Sequence, residues 1–450
     1  MLCCFISLTS TAQTIQDLMD EIEQTKLETT LNEFSGEIST TVGGNTVTIL
    51  NRQHANNGIA GDYLIEEFDS MNNITVVGQN FNTTGRNIIA TQLGKTNPDD
   101  IYIISAHYDT VANYCADDNA TGTTAVLEIA RILSNQCFDN TIIYALWDEE
   151  EIGLNGSEFY ADLANTNNDN ILGVLNMDMM GYDGDAPGQP GDNEFDIDFR
   201  SSIPNTVAMK NDILAVLNAY TFDLEVVEVP NGTFASDHAS FWFNGFPAVL
   251  VGESWETNDQ TPFYHTSGDR TNTLDLPYFT EMTKLVLGWT ATKASLLSID
   301  NSVNQTPTML TANQNSATYQ WYDCDTESMI AGATGQSYIP TSNGTYQVAV
   351  TIGNCTEYSN CLVFDTLSTE TFEQGDIDVF PNPATDVLNV KSVLHSDISL
   401  VLYNVSGKIV LERISGNELT QLDISNLANG LYFLNASTED KSGTFKVVKE

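Results

Sequence analysis

Short, continuous apolar segments alternate with helical patterns along the first two thirds of this chain. The apolar segments are residues 101–106, 141–147, 171–177 and 247–251, with a shorter one at 87–90. Apolar residues at helical spacing mark residues 14–35, 60–71, 123–133 and 276–297, the last with Asp275 as its N-cap. Apolar strands separated by helices predict an α/β domain with a mixed, mostly parallel sheet flanked by helices.

Histidine and carboxylate side chains stand at or shortly after the downstream ends of these strands. The set comprises His107 with Asp109, Asp117 with Asp118, the acidic run 148–151, Asp178 and His265. Ligands of open α/β sheets bind just outside the carboxyl ends of the strands, and metal ions take carboxylate oxygens and imidazole nitrogens. The pattern therefore indicates a metal site at this edge of the sheet, with enough ligands for two metals that share a bridge.

Each of these residues alone is a weak signal. Asp117 and Asp118 precede a helix, so they fit an N-cap as well as a bridging carboxylate. The acidic run 148–151 is also compatible with a solvated loop. Metal-assisted hydrolysis needs one carboxylate as ligand and another as proton shuttle, and adjacent glutamates can supply both. The residues themselves leave open which acid of the run has which role.

The charge of the chain limits its partners. Its 450 residues include 61 Asp and Glu against 16 Lys and Arg, a formal net charge of −45. Such a surface repels nucleic-acid phosphates and anionic membranes. Beyond the N-terminus the sequence has no apolar stretch of about 18 residues, the length of a membrane span. We therefore expect neither a nucleic-acid partner nor a membrane span.

The N-terminus indicates export, and the cysteines bear on zinc binding and on disulfides. Residues 1–12 form a short apolar run followed by small residues, similar to the end of a signal peptide cleaved after Ala12, although the usual basic start is missing. No C-x-x-C pattern is present, which disfavours a cysteine zinc site. In a secreted protein we expect one disulfide among Cys324, Cys355 and Cys361, with one of the three left over.

The chain is predicted to contain three domains after residues 1–12. The α/β domain covers 13–297, and helical periodicity ends near Ser298. Short alternating runs then predict a small Ig-like β-sandwich at 298–368, with Trp321 as its core anchor. A polar, acidic linker leads to a second small β-domain at 376–450.

The last domain resembles a known family. Its motifs are Phe380-Pro381-Asn382-Pro383-Ala384, then Tyr403-Asn404 with Gly407-Lys408, then Gly430-Leu431-Tyr432-Phe433. In this order they resemble the type A C-terminal sorting domain of the Bacteroidetes type IX secretion system. The resemblance implies handling by the type IX secretion machinery and a secreted or cell-surface protein of a Gram-negative bacterium.

The α/β domain also resembles a known family. The matching segments are Ala106–Thr110, Ala116–Ala120, Glu150–Leu154 with Gly156-Ser157, Asn176–Met179, Ser236–Phe241 and Tyr264–Thr266. In this order they resemble the zinc-dependent aminopeptidase and glutamate-carboxypeptidase family of co-catalytic metallopeptidases. The resemblance implies the zinc exopeptidase fold, two Zn²⁺ ions and peptide or protein substrates.

The resemblance also implies a role for each matching residue. His107 and Asp178 would hold one zinc, Glu151 and His265 the other, and Asp118 would bridge them. Glu150 would be the general base, and Asp109 would orient His107. His238 lies in a motif that is structural in the family and is not expected to bind metal.

Two departures from the family pattern stand out. Cys115 occupies a position where the family often has glycine, and a thiol there could perturb the neighbouring bridge. Thr233, Phe234 and Ala235 replace a tyrosine and a cysteine that some secreted members carry, so the corresponding donor and local disulfide are in doubt.

The function expected from the resemblance is a secreted di-zinc exopeptidase, foremost an aminopeptidase that removes N-terminal residues. A glutaminyl-cyclase-like acyltransferase on the same fold, with a single zinc, is the first alternative, and the complete five-ligand set disfavours it. The second alternative is a catalytically inactive surface-binding protein that acts through its β-domains, which the intact ligands and base disfavour.

Overall fold

The computed structural model describes residues 14–53, 56–184, 192–352, 355–365, 372–373, 375–394, 396–438 and 441–450. The predicted signal segment 1–12, its cleavage site after Ala12 and most of the linker that follows residue 365 lie outside the described residues. The chain divides into two compact units. One contains residues up to Ser298 together with Cys355, and the other contains residues 299–352 and 356–450.

The first unit combines helices with one large sheet. Its helices are α1 (Ile15–Asp20), α2 (Gln24–Phe34), α3 (Gly58–Asp69), α4 (Gly122–Leu133), α5 (Asn155–Asn167), α6 (Thr206–Ala219), α7 (His238–Phe243) and α8 (Leu276–Lys293). Its strands are β1 (Thr40–Val42), β2 (Asn45–Val47), β3 (Thr75–Asn80), β4 (Arg86–Gln92), β5 (Asn97–His107), β6 (Asn140–Trp147), β7 (Asn170–Met177), β8 (Glu194–Asp198), β9 (Glu225–Val229) and β10 (Ala248–Glu253).

The large sheet is mixed, with a parallel centre. Its strand order is β3-β4-β6-β5-β7-β10-β8-β9, and β1 and β2 form a separate hairpin. Strands β6, β5, β7 and β10 run parallel to one another, whereas β4 and β8 flank them in the antiparallel sense. The predicted fold class is confirmed, and each of the five predicted strands lies in this sheet.

The apolar patterns account for the central elements. Strand β6 is buried from Thr141 to Trp147, as expected for a strand covered on both faces. Asp275 caps α8 by accepting a hydrogen bond from the backbone N–H of Tyr278 at 3.0 Å, as predicted. The single helix predicted at 14–35 is wrong, because residues 21–23 separate α1 from α2. No proline or glycine marks that break.

The sheet brings the predicted metal-site residues to one edge. His107 ends β5, the acidic run follows β6, and Asp178 follows β7. Because these three strands are adjacent and parallel, their carboxyl ends meet at the same edge. The distorted turn Ala116–Thr121, which leads into α4, lies at the same edge and carries Asp118 with non-helical dihedral angles.

The second unit consists of antiparallel sheets. Its strands are β11 (Val303–Gln305), β12 (Leu310–Ala312), β13 (Thr318–Asp323), β14 (Ser328–Met329), β15 (Ser337–Tyr338), β16 (Gly344–Ile352), β17 (Cys355–Tyr358), β18 (Leu362–Phe364), β19 (Ile377–Phe380), β20 (Val387–Ser392), β21 (Ile398–Asn404), β22 (Ile409–Ser415), β23 (Leu419–Asp423), β24 (Gly430–Ser437) and β25 (Ser442–Lys449).

These strands form four sheets. The orders are β11-β12-β15, β14-β13-β16-β17 with β18 against β16, β19-β20-β23, and β22-β21-β24-β25. Trp321 on β13 is fully buried and stacks on Tyr338, which confirms it as a core residue. Strands β19 to β25 enclose a separate apolar core that includes Leu388, Leu402 and Leu434.

Two disulfides are present among the described residues. Cys324 pairs with Cys361, so the expected bridge among the last three cysteines is confirmed. The third of them, Cys355, pairs with Cys137 across a sequence separation of 218 residues. Within the described residues, no helix combines the length and apolar character that crossing a membrane requires.

A buried arginine joins the segments behind the metal-site edge. Arg52 is 1% exposed and lies against the ring of Phe34. Its guanidinium donates hydrogen bonds to the backbone oxygens of Phe34, Tyr108 and Cys115 at 2.9, 3.1 and 2.8 Å. The three carbonyls belong to the end of α2, the loop after β5 and the turn before α4, so one cation fixes the relative positions of these segments.

We predict that Arg52→Met lowers the free energy of unfolding of the first unit by about 3–5 kcal/mol. The substitution leaves three carbonyls without their charged donor in a buried site. Chemical denaturation of the two proteins measures the change. Lys26→Met, which removes an exposed cation from α2, is the matched control and should shift stability by less than about 0.5 kcal/mol. Equal effects of the two substitutions would contradict this role of Arg52.

Candidate metal centre

The five residues predicted to bind metal lie together at the carboxyl edge of the sheet. His107, Asp178 and Glu151 come from the ends of neighbouring strands, and Asp118 comes from the turn before α4. His265 comes from the loop between β10 and α8. Asp118 and His107 are buried, whereas the side chain of His265 is 40% exposed, so the group is open to solvent on one side.

The five side chains form two half-sites around Asp118. In the first half-site, Nε2 of His107 lies 3.3 Å from Oδ1 of Asp118 and 3.4 Å from Oδ1 of Asp178. In the second, Nε2 of His265 lies 3.3 Å from Oδ2 of Asp118 and 3.1 Å from Oε2 of Glu151. Each oxygen of Asp118 thus faces a different histidine, which is the arrangement that a bridging carboxylate requires.

Glu150 lies beside the first half-site. Donor atoms of Glu150, His107 and Asp178 all lie within 4.8 Å of one another, and the same holds for His107, Asp118 and Glu151. Glu150 and Glu151 are adjacent in sequence but are directed to different parts of the group. Glu151 therefore lies among the atoms of the second half-site, and Glu150 lies next to the first half-site.

Asp109 contacts both His107 and the glutamate loop. Its backbone oxygen lies 3.2 Å from Nδ1 of His107, and its Oδ1 lies 3.5 Å from the same nitrogen. The carboxylate also accepts the backbone N–H groups of Glu150 and Glu151 at 3.0 and 3.3 Å. Asp109 thus orients the imidazole so that Nε2 faces the site, and it fixes the loop that carries both glutamates.

The other acids of these segments are directed away from the site. Asp148 accepts hydrogen bonds from Asn57, from Tyr108 Oη and from the backbone of Arg86. Glu149 accepts from the side chains of Asn82, Thr84 and Asn155. Asp117 accepts the backbone N–H of Gly181 at 2.8 Å. These contacts direct one oxygen of Asp117 and the carboxylates of Asp148 and Glu149 to protein donors outside the two half-sites.

Two supporting residues were not singled out from the sequence. Ser236 donates to Oδ2 of Asp178 at 2.7 Å and accepts from the amide of Asn176. Asp269 accepts the backbone N–H groups of Asp117 and Asp118 at 2.8 and 3.0 Å. Ser236 is the first residue of the Ser-Asp-His motif, which is one of the segments that match the family, so the sequence could have pointed to it. Nothing in the sequence relates Asp269 to residues about 150 positions earlier.

Burial and neighbouring charges shift the pKa values of the carboxylates in this group. Burial raises the pKa of Glu151 to about 8, and the charge of Asp118 contributes. Burial also raises the pKa of Glu150 well above its usual value. Burial acts in the same direction on Asp118, but the imidazoles of His107 and His265 outweigh it and lower that pKa to about 2. With no added positive charge, Glu151 retains its proton at neutral pH.

The donor set fits divalent metal ions. Oδ2 of Asp118 and Oε1 of Glu151 are buried and have no hydrogen-bond partner within the described residues. Buried oxygens of this kind are stabilised by a cation, and imidazole nitrogens mixed with carboxylate oxygens suit zinc. His107, Asp178, Asp118, Glu151 and His265 are thus the residues that would hold the metal.

The candidate metal centre opens into a cavity of about 510 Å³. Besides the residues of the centre, apolar residues such as Val229 and Leu250 line it, and Trp255 and Tyr264 stand at its exposed side. The ring of Tyr264 stacks on that of His265, with 3.7 Å between the centroids. The cavity provides a place where a substrate could contact both half-sites.

The departures from the family pattern have structural counterparts. Cys115 is buried at φ 46°, in the left-handed region that favours glycine, and burial raises the pKa of its thiol to about 12. The thiol is therefore protonated and unreactive at neutral pH. Thr233 and Ala235 line the cavity, so the cavity wall has no tyrosine hydroxyl at these two positions.

His238 lies outside the two half-sites. Its ring is buried and packs edge-on against Trp242, with 4.4 Å between the ring centroids. Its Nε2 lies 2.9 Å from the backbone oxygen of Thr233. Burial lowers its pKa to about 4, so the ring is neutral. These contacts are those of a structural histidine.

Comparison with known proteins identifies two regions of the chain. Residues 87–290 match peptidase family M28, and residues 378–450 match the secretion system C-terminal sorting domain. A probable aminopeptidase of Saccharomyces cerevisiae is 30% identical over 215 residues, which are 45% of this chain and 55% of the yeast protein. Leucine aminopeptidase 1 of Trichophyton equinum is 30% identical over 230 residues, 48% of this chain and 59% of that protein.

Solved structures share the fold of the first unit. The LapA aminopeptidase of Legionella pneumophila superposes with a TM-score of 0.53 at 21% identity, over 65% of this chain and 79% of that protein. The chain spans little more than half the length of the curated relatives named above. Both resemblances recognised from sequence motifs are confirmed: residues 87–290 of this chain match peptidase family M28, and residues 378–450 match the secretion system C-terminal sorting domain.

Proposed function

We propose that this chain is a secreted di-zinc aminopeptidase that removes N-terminal residues from peptides or proteins. The observation that carries the proposal is the pair of histidine–carboxylate half-sites that share Asp118, with Glu150 beside one of them. His107 and Asp178 would hold one zinc, and Glu151 and His265 the other. The match of residues 87–290 to peptidase family M28 supports the same reaction.

The metals and the residues of the cavity would have separate roles in hydrolysis. The two zinc ions would supply a water of lowered pKa and would polarise the scissile carbonyl. Glu150 would accept the proton of the attacking water and pass it to the leaving amine. Asp109 would hold His107 and the backbone of Glu150 in position throughout. Tyr264 lines the cavity, and burial raises the pKa of its phenol, which therefore remains a hydrogen-bond donor.

The charge of the cavity favours an aminopeptidase over a carboxypeptidase. A carboxypeptidase must bind the free carboxylate of its substrate, for which arginine or lysine is the usual partner. The described residues that line the cavity include neither lysine nor arginine, whereas they include several carboxylates outside the metal centre. Such a wall attracts a free α-amino group, and the curated relatives named above are aminopeptidases by name.

The C-terminal region supports export. Residues 378–450 match the sorting domain, and we propose that they direct the chain through the type IX secretion machinery to the medium or the cell surface. The whole chain has a formal net charge of −45, which suits a soluble extracellular enzyme.

We predict that Glu150→Gln lowers kcat by about 10²–10⁴-fold and retains both zinc ions, because it removes the proton acceptor and no ligand. Asp118→Asn should instead lower the zinc content, because an amide cannot bridge two cations through two anionic oxygens. Metal analysis with steady-state kinetics distinguishes the two effects. Glu158→Gln, on the exposed surface of α5, is the control. A Glu150→Gln enzyme with full activity would exclude Glu150 as the base.

The zinc content also separates the alternative functions. The proposal expects two zinc ions per chain. One zinc per chain, together with cyclisation of N-terminal glutamine, would favour the glutaminyl-cyclase-like acyltransferase. Binding to surfaces that persists without zinc and without hydrolysis would favour the inactive binding protein.

We predict hydrolysis of leucine p-nitroanilide and at least about 10²-fold slower hydrolysis of its N-acetyl derivative. The blocked substrate lacks the ammonium group that the acidic cavity would bind. The ratio of kcat/KM for the two substrates measures this preference. Faster cleavage of the blocked substrate, with Glu150→Gln as the inactive control, would exclude an aminopeptidase.

We predict that deletion of residues 376–450 retains the protein inside the producing cells, because the sorting domain would be its export signal. Immunoblots of medium and cell fractions measure the distribution of full-length and shortened chains. Fusion of residues 376–450 to a periplasmic reporter is the reciprocal test, and secretion of the shortened chain at the normal level would refute the role.

A further inference from the structure

We infer that the cavity selects substrates with a basic N-terminal residue, lysine or arginine, and that Asp198 is the residue that determines this specificity. The inference rests on the proposed function, because it names the substrate class of the same site. The observations that carry it are the position of Asp198 in the cavity wall, an oxygen of Asp198 without a partner, and the apolar residues beside it.

The cavity extends from the metal centre along one face of the sheet. Asp178, Gly252 and Asp196 lie in a row on the neighbouring strands β7, β10 and β8, and Asp198 lies opposite Leu250. Strands in a sheet are about 4.8 Å apart and rise about 3.4 Å per residue. The Cα of Asp198 is therefore about 12 Å from that of Asp178. Both side chains line the cavity, so the gap that a substrate side chain must span is shorter than this Cα separation.

A glycine keeps the path between the metals and this wall open. Gly252 lines the cavity between the two, and a Cβ at this position would lie 2.1 Å from the backbone oxygen of Asp178. Any side chain at residue 252 would thus displace the strand end that carries Asp178. The cavity is continuous at this point because residue 252 has no side chain.

Most of the other wall carboxylates are already engaged. Asp196 accepts the hydroxyl of Ser254 and the backbone N–H groups of Trp255 and Glu256. Both oxygens of Glu253 lie 3.1 Å from the backbone nitrogen of Thr261, and that carboxylate is 1% exposed. These two acids hold the loop after β10 in place. Glu256 is exposed at the rim.

Asp198 is different, because one of its oxygens is unengaged. Its Oδ1 accepts the backbone N–H of Thr233 at 2.7 Å, whereas its Oδ2 has no hydrogen bond among the described residues. The residue is only 7% exposed, and it lines the cavity. A largely buried carboxylate with an unengaged oxygen at a cavity can bind a cation or a hydrogen-bond donor there.

The nearby arginine does not neutralise Asp198. Arg200 donates to the backbone oxygens of Gly232 and Asn231 and lies over the ring of Phe234 at 4.0 Å. Burial raises the pKa of Asp198 to about 6, and the charges of Asp196 and Glu256 add to this effect while Arg200 opposes it. Asp198 is therefore ionised above pH 7 and is available to a substrate cation.

The walls between the metals and Asp198 suit an alkyl chain. Val229 and Leu250 flank Asp198 on β9 and β10, and Met179 follows Asp178. Lysine and arginine combine an apolar stem with a terminal cation, so the stem can contact these residues while the cation reaches Asp198. A leucine side chain would contact the same walls and leave the carboxylate unpaired.

The test compares lysine, norleucine and leucine p-nitroanilides with the zinc-loaded, full-length chain. Lysine and norleucine share an alkyl stem, so their ratio of kcat/KM isolates the contribution of the ammonium group. We expect the native chain to prefer lysine by at least about tenfold, and Asp198→Asn to lower the lysine-to-norleucine ratio by about ten- to a hundredfold. Asparagine retains the acceptor for Thr233 N–H. Asp223→Asn, an exposed acid outside the cavity, should leave the ratio unchanged.

A second measurement needs no substitution. In the native chain, the lysine-to-norleucine ratio should fall as the pH is lowered through about 6, because protonation of Asp198 removes its charge. Effects of pH on the metal centre act on both substrates and cancel in the ratio. A preference for norleucine, or a ratio that neither Asp198→Asn nor acid lowers, would overturn the inference and leave the peptidase proposal intact. Failure to hydrolyse any of the three substrates would overturn both.

Discussion

The crowding of carboxylates around two histidines is the constraint on which the structure of this domain depends. Asp118, Glu150, Glu151 and Asp178 approach the same small volume, and burial together with the charges of neighbouring carboxylates raises the pKa values of Glu150 and Glu151. The protein compensates with fixed donors, since backbone N–H groups point at Asp109 and Asp269 and a serine hydroxyl at Asp178. Among the described residues, Oδ2 of Asp118 and Oε1 of Glu151 remain without a hydrogen-bond partner, and added cations would balance their charge.

The fold delivers these groups with little freedom. Three adjacent parallel strands end at the same edge, so His107, the glutamate loop and Asp178 are positioned by sheet hydrogen bonds. The turn that carries Asp118 is held from both sides, by Asp269 at its backbone and by Arg52 at the carbonyl of Cys115. A rigid scaffold of this kind would hold the ligand side chains in place before any metal binds, which would preorganise the proposed metal site.

The sequence predicted the parts of this arrangement that are local. Residues such as His107 and Asp178 follow apolar strands directly, so their meeting at one edge follows from strand order in a parallel sheet. The break after α1, the pairing of Cys137 with Cys355 and the contact of Asp269 with the Asp118 turn depend on packing between distant segments, and no local pattern encodes them. Strands β8 and β9 are short and half polar, so the wall that carries Asp198 was also not predicted.

Within the acidic run 148–151, the hydrogen-bond network distinguishes Asp148 and Glu149 from Glu151. Asp148 and Glu149 stand next to Glu150 in sequence, yet their oxygens are occupied by donors from Asn57, Asn82 and other neighbours. Asp118, Glu151 and Asp198 each retain an oxygen without a donor at or near the cavity. Under the proposed function, the incompletely satisfied oxygens of Asp118 and Glu151 would bind metal ions, and that of Asp198 would bind the cation of a substrate.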